Sequence, residues 1–434
     1  MVYEVIILDY FSMSNTELQE EKKKLLDSYN KFKEQKLKLD MSRGKPGNEQ
    51  LDISVKMLDI INSKSECKTR NGIECRNYGL SDGIPEIKEL FGKLMQVPSD
   101  WVIVGGNSSL NMMFDTFTCL MTHGISGCDP WIKQGKIKFL CPSPGYDRHF
   151  AILDYYNVEP IVIKMNDDGP DMDEIERYIL NDESVKGIWC VPKYSNPTGI
   201  TYSDAIVKRF SKLKPKAKDF RIFWDDAYAI HDVSDTPDKL LSLMNEAIKN
   251  SNEDKVIVFC STSKITFPGS GVAAMAASPE NLNVFKKRYS IQTIGYDKIN
   301  QLRHMHFFNN FDGMLEHMKK HKEILKPKFG MVINKLKMNF EHSNLVDWSN
   351  PNGGYFISVN VMQGCAKRTV ELCKNAGLIL TSAGATFPGG KDPKDRNIRI
   401  APTYPTVREL EKAMDLFCMA VKIALIERIQ KERK

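Results

Sequence analysis

The sequence has no Cys-x-x-Cys pair. Its ten cysteines, Cys67, Cys75, Cys119, Cys128, Cys141, Cys190, Cys260, Cys365, Cys373 and Cys418, are scattered, and several sit inside apolar strand-like runs. That usage excludes a disulfide framework and a thiolate metal site built on close pairs. It implies buried free thiols in a reducing compartment, the cytoplasm. A long apolar run is missing too. The opening MVYEVIILDYF is interrupted by Glu4 and Asp9 and lacks a cationic lead and a small-residue cleavage site, so neither an export leader nor a membrane span is expected. Charge of one sign is scarce: 61 basic against 55 acidic residues leave a net +6, and the lysine-rich stretch Lys133–Lys138 is short. A solvated surface with no nucleic-acid partner is the expectation. Histidines number eight; His304 and His306 alternate, while His317 and His321 stand one helical turn apart with no third ligand. No metal is expected, and the second pair reads as an exposed helix face.

With 42% hydrophobic and 27% charged residues in 434, the chain has the composition of an ordinary soluble enzyme too long for one core. From Thr16 to Lys38 apolar residues recur at helical spacing, ahead of a loop at Ser42–Asn48. Seven short apolar runs follow between longer amphipathic stretches: Trp101–Val104, Lys138–Cys141, Pro160–Ile163, Gly187–Val191, Arg221–Trp224, Val256–Cys260 and Val272–Ala277. Near-continuous apolar strands alternating with helices predict an α/β fold, a mostly parallel seven-stranded sheet covered on both faces. After it come a long helix over about 309–340, a strand at Tyr355–Val359, and helices at Lys367–Ala376 and Val407–Arg428. The division expected is an N-terminal helix and arm (1–53) joining a smaller α+β domain (316–434), with the large domain at 54–315.

Four features carry chemistry. The strand ending at Val104 runs into GGNSSL and a helix, where free backbone N–H groups and the polar groups of Asn107, Ser108 and Ser109 can hold a phosphate. A serine-capped turn would look the same. KYSNPTG puts Asn196 after a strand, which by itself is ordinary turn chemistry. The strand Arg221–Trp224 ends in DDAY, setting Asp225 and Tyr228 at a carboxyl edge; a carboxylate entering a buried site needs a partner. An N-capping aspartate is the plain alternative. Lys264 lies 39 residues beyond Asp225, past VIVFCSTS. An amine becomes a nucleophile toward an aldehyde only where its charged form is disfavoured, as the apolar approach favours. In this order the four describe a pyridoxal phosphate site.

Here the chain resembles the fold-type I pyridoxal-phosphate aminotransferases along nearly its whole length, through YGLSDG, GGNSS, SNPTG, DDAY, STSK, PNGGYF and RIAP. The stretches DMSRGKP, CPSPGYDRHF, STSKIT and DKINQLRH resemble more narrowly a divergent bacterial subgroup of aspartate aminotransferases. The resemblance implies that Lys264 is the Schiff-base lysine and proton carrier and that Asp225 pairs with the pyridine nitrogen. It further implies that Asn196 and Tyr228 bond the ring hydroxyl and that Tyr146 stacks on the ring. Ser108, Ser109, Ser261 and Ser263 would take the phosphate, with Tyr78 reaching the phosphate of a neighbouring subunit, which implies a homodimer with shared active sites. Arg399 would clamp the substrate α-carboxylate, and Gly44, with the Arg43–Asn48 arm, would line the substrate entrance.

One departure stands out. Most members of the family it resembles carry a phosphate-neutralising arginine eight positions after the lysine, where this chain has Val272; Ser263, Ser270 or a cation from elsewhere are the candidates to replace it. The cation for a substrate side-chain carboxylate is also unmarked, with Arg43, Lys298 and Arg303 as candidates and Arg303 preferred. The activity implied is ping-pong transamination between aspartate and 2-oxoglutarate. Alternatives on the same residues are an aromatic or neutral amino-acid aminotransferase and a pyridoxal-phosphate lyase. An effector-sensing regulator on this fold would carry a DNA-binding domain, for which the residues ahead of SRGKP are too few.

Overall fold

The computed structural model describes residues 10–433; residues 1–9, the apolar opening on which the leader expectation rests, lie outside it. All seven apolar runs form strands: β1 (Val102–Val104), β2 (Lys138–Ser143), β3 (Glu159–Asn166), β4 (Val185–Cys190), β5 (Arg221–Asp225), β6 (Val256–Ser261) and β7 (Ala273–Ala277). Their order across the sheet is β1-β7-β6-β5-β4-β2-β3. Every pairing is parallel except the two made by β7, which runs antiparallel to β1 and β6.

Among the described residues the sheet has eight strands rather than the seven expected. The chain turns after β3 at Asp167-Asp168 and adds Gly169–Pro170 antiparallel to its end. A two-residue pairing is too short to carry a period, so no sequence pattern marks it.

The strands are apolar throughout because both faces are covered. Ile222 and Trp224 of β5, with Val256, Val258 and Cys260 of β6, face one core. The alternate residues Phe223, Ile257 and Phe259 face another. This period of two distributes an unbroken apolar strand between two cores. A third cluster gathers Leu18 and Tyr29 of the N-terminal helix Asn15–Glu34, the three-stranded antiparallel sheet Val346–Trp348, Ile357–Val361 and Asn397–Ile400, and the helix Val407–Glu432. The helix Phe311–Phe340 joins the clusters: Met314 and Met318 pack into the sheet core, while Leu325 to Phe340 pack into the third.

His317 and His321 do not lie on an exposed face. Both are buried, and each Nε2 lies on the Ile265 carbonyl, at 2.9 and 2.8 Å. The helix turns them toward the Lys264 segment, whose main-chain acceptors need donors. Among the described residues no helix is long and apolar enough to cross a membrane, and all ten cysteines are free.

Candidate active site

The carboxyl ends of the parallel strands open on a cavity of about 260 Å³. This edge is where open α/β sheets keep ligands, since the strands stop there and the loops diverge. Asp225 is the last residue of β5; Lys264 lies three residues past β6, Asn196 six past β4 and Tyr146 three past β2. All four line the cavity with Tyr228, Ser108, Ser109, Ser261, Ser263, Gly44 and Arg399.

Lys264 opens partly onto the cavity, its Nζ 5.0 Å from the centroid of the Tyr228 ring. Burial lowers its pKa below the ordinary lysine value, against the smaller opposing pull of Asp225 and the Cys260 thiol. That shift disfavours the charged form, as a nucleophile or base at this position requires. Asp225 is 3% exposed, and its Oδ2 lies 3.1 Å from His149 Nε2. Its other oxygen, Oδ1, is buried without a hydrogen-bond partner. A carboxylate oxygen left bare in a buried site is an acceptor awaiting a donor. Burial raises the phenol pKa of Tyr146 to about 12 and that of Tyr228 further, so both remain protonated donors.

Opposite stands Arg399, 5% exposed, on the strand Asn397–Ile400. Its guanidinium contacts Asp147 Oδ1 at 3.2 Å, Asn196 Oδ1 at 3.1 Å and Thr381 Oγ1 at 3.1 Å, and lies over the Phe356 ring at 4.7 Å. Gly44 touches the same ring from the arm: a Cβ there would lie 2.5 Å from Phe356 Cζ. A larger residue in the arm would push Phe356 from beneath the arginine.

Ser108 occupies the N-cap of the helix Ser109–His123, yet its side chain makes no capping bond. Capping therefore leaves the hydroxyl uncommitted at a helix N-terminus that favours anions. Asn107 does not line the cavity. Its side chain donates to the Pro268 and Gly269 carbonyls at 3.4 Å, and its own carbonyl accepts Ser263 Oγ at 2.7 Å.

Val272 is 2% exposed and packed in the sheet core, its N–H donating to Thr262 Oγ1 at 2.9 Å. Ser270 is held by Arg303, which also donates to Asn300 Oδ1 at 2.5 Å. Neither Arg303 nor Lys298 lines the cavity, whereas Arg43 and Lys45 of the arm do. Tyr78 also lies off the cavity, 79% exposed.

Sequence reasoning missed His149, which bonds Asp225 and stacks on Trp189 with ring centroids 4.5 Å apart. PGYDRHF holds no local mark of this role: Tyr146 is the extended N-cap of the helix Asp147–Tyr155, and His149 sits in its first turn facing a carboxylate from another strand. Asp147, Phe356 and Thr381 were passed over because they act through Arg399, from segments far apart in the chain.

The aspartate amino-transferase family model matches residues 13–433. An aspartate aminotransferase of Corynebacterium glutamicum is 40% identical over 400 residues, 92% of this chain and 92% of the relative. A Mycolicibacterium smegmatis protein named as an aminotransferase is 42% identical over 402 residues, 92% and 94% of the two chains. Among solved structures, an aspartate transaminase from Corynebacterium glutamicum superposes with a TM-score of 0.93 at 38% identity, over 96% of this chain and 98% of that one.

Proposed function

The chain belongs to the aspartate aminotransferase family, and from that premise we propose that it is a pyridoxal-phosphate-dependent enzyme transferring the amino group of aspartate to 2-oxoglutarate. The products are oxaloacetate and glutamate. The observation that carries the reading is the pairing of a buried amine, Lys264, with a buried carboxylate oxygen that has no donor, Asp225 Oδ1, on the ends of neighbouring strands.

The residues present fit the cofactor. Asp225 Oδ1 would accept from its ring nitrogen, Asn196 and Tyr228 would meet its ring hydroxyl, and Tyr146 its face. Ser108, Ser109, Ser261 and Ser263 would take the phosphate, with the N-terminus of the helix Ser109–His123 supplying the partial positive charge that Val272 does not. When bound, pyridoxal phosphate supplies an electron sink and a carrier for the amino group.

The chain's own groups do the rest. Arg399 takes the substrate α-carboxylate through its fork, held planar over Phe356 and aimed by Asp147 and Asn196. Lys264 Nζ, its charged form disfavoured by burial, takes the proton from the substrate α-carbon and later returns one. His149 donates to Asp225 Oδ2 and keeps that carboxylate oriented. For the side-chain carboxylate of aspartate, Arg43 at the cavity mouth is the cation we favour within this chain, since Arg303 is engaged with Ser270 and Asn300.

A homodimer is part of the proposal. Tyr78 is exposed together with Ile291 and Ile294, at 86% and 63%, and the two stretches adjoin where Gly295 approaches the Gly79 carbonyl. Exposed apolar residues of this kind suit a second copy, whose phosphate Tyr78 would reach. We likewise divide the chain at 53 and 315, with the helix Phe311–Phe340 as the connection, and assign the enzyme to a reducing cytoplasm.

The test is borohydride reduction of the reconstituted enzyme followed by peptide mass spectrometry, with a survey of aspartate, glutamate, alanine, tyrosine and kynurenine as single donors. The reading expects the cofactor mass on Lys264 and aspartate as the fastest donor. A faster aromatic or neutral donor would overturn the substrate and leave the cofactor site standing.

A further inference from the structure

The main-chain carbonyls of Lys264 and Ile265 are gripped from behind the cavity by side chains that the proposed chemistry leaves unused. Tyr355, fully buried in PNGGYF, donates its hydroxyl to the Lys264 carbonyl at 3.2 Å. Gln50, also fully buried, sits on the short helix Asn48–Asp52 and donates through Nε2 to the Tyr355 oxygen at 2.9 Å. The same Nε2 lies 3.1 Å from His321 Nδ1, and Gln50 Oε1 accepts the Gly47 N–H at 3.2 Å.

These partners settle the protons. An amide oxygen that accepts from the backbone leaves the nitrogen to serve two acceptors, so His321 Nδ1 carries no hydrogen. The His321 proton is then on Nε2, which donates to the Ile265 carbonyl at 2.8 Å.

The bonds run from the arm to the lysine. At Gly47 a side chain would meet the Tyr404 and Thr403 carbonyls at 2.9 and 3.1 Å, which pins the arm in place. A few residues earlier, Gly44 and Lys45 line the cavity. An apolar core of the same shape would be as stable as this fully bonded cluster, so stability alone does not account for it.

We propose that Gln50 and Tyr355 are positioning residues that clamp the Lys264 main chain and tie it to the arm at the cavity mouth, fixing where the amine stands. This rests on the reading of Lys264 as the cofactor-binding lysine. Removing the Tyr355 hydroxyl takes away the bond it donates to the Lys264 carbonyl, leaving His231 as the other side chain against that main chain, and frees the amine to move toward water. The groups that face the amine, Asp225, Tyr228, Cys260 and His231, stay unchanged.

The experiment compares reconstituted wild type with Tyr355→Phe and Gln50→Leu by kcat and KM for aspartate and by pH titration of the visible absorption of the lysine-bound cofactor. The expected result for Tyr355→Phe is kcat down about tenfold, the equivalent of one buried hydrogen bond, with KM within about twofold. The titration midpoint rises, because a better-solvated imine nitrogen holds its proton longer. Gln50→Leu moves both readouts the same way and carries the test if Tyr355→Phe does not fold. A lower melting temperature with kcat and midpoint at wild-type values overturns the proposal. Wild type with no lysine-linked absorption would instead overturn the reading of Lys264 itself.

Discussion

Arg399 is where a single side chain decides most. Its planar fork meets Asp147, Asn196 and Thr381 and lies on Phe356, so lysine, a point charge without the fork, does not replace it. We predict that Arg399→Lys lowers kcat/KM for aspartate at least about thirtyfold, an effect of roughly 2 kcal/mol for truncating one partner of a buried charge pair. Steady-state kinetics check it, with most of the change in KM. Gly44→Ala tests the same support from the arm: the added Cβ must displace Phe356, at a cost of about 1–3 kcal/mol for overpacking. The expected outcome is a raised KM with the absorption of the lysine-bound cofactor unchanged. Lys264, Asp225 and Asn196 were legible as residues because each sits at a strand end in a stretch whose residue types make sense only together. His149 was not, because a histidine inside a helix carries no local mark of the carboxylate it meets 76 residues later.

Elements were the most legible level. Seven apolar runs gave seven strands, since a strand buried on both faces is apolar at every position and ends where turn residues begin. What escaped was the two-residue return at Gly169–Pro170, too short for a pattern, and the facing of the helix Phe311–Phe340, whose histidines turn inward to bond Ile265. Helix polarity carries its own prediction. Ser108 occupies an N-cap without making the capping bond, so Ser108→Ala forgoes the usual loss of about 1 kcal/mol in the cofactor-free protein. Cofactor binding weakens in the same variant. Thermal melts of the cofactor-free form and a cofactor titration separate the two effects. A destabilised cofactor-free protein with normal cofactor affinity would return Ser108 to a plain cap.

At the scale of the whole molecule, buried neutral histidines set an acid limit on stability. Burial lowers His304 and His321 to about 4, from an ordinary value near 6.5. Between those values the unfolded chain binds protons that the folded chain refuses, so stability falls as pH drops from about 6.5 toward 4, by up to about 3 kcal/mol per histidine. Denaturant unfolding at pH 7 and pH 5 checks this, with a smaller pH dependence expected in His304→Gln. Lys264 acts in the same direction in the alkaline range. Its folded pKa is depressed, so stability of the cofactor-free protein rises with pH in the window below the ordinary lysine value, and Lys264→Met removes that rise. Such effects were closed to the sequence, because they depend on which side chains three separate cores enclose.

The most direct test of the central claim uses one substrate and no acceptor. Reconstituted enzyme mixed with aspartate alone is predicted to release one equivalent of oxaloacetate per Lys264 site and no ammonia, with turnover resuming only when 2-oxoglutarate is added. Continuous release of ammonia, or no oxo acid at all, would contradict it.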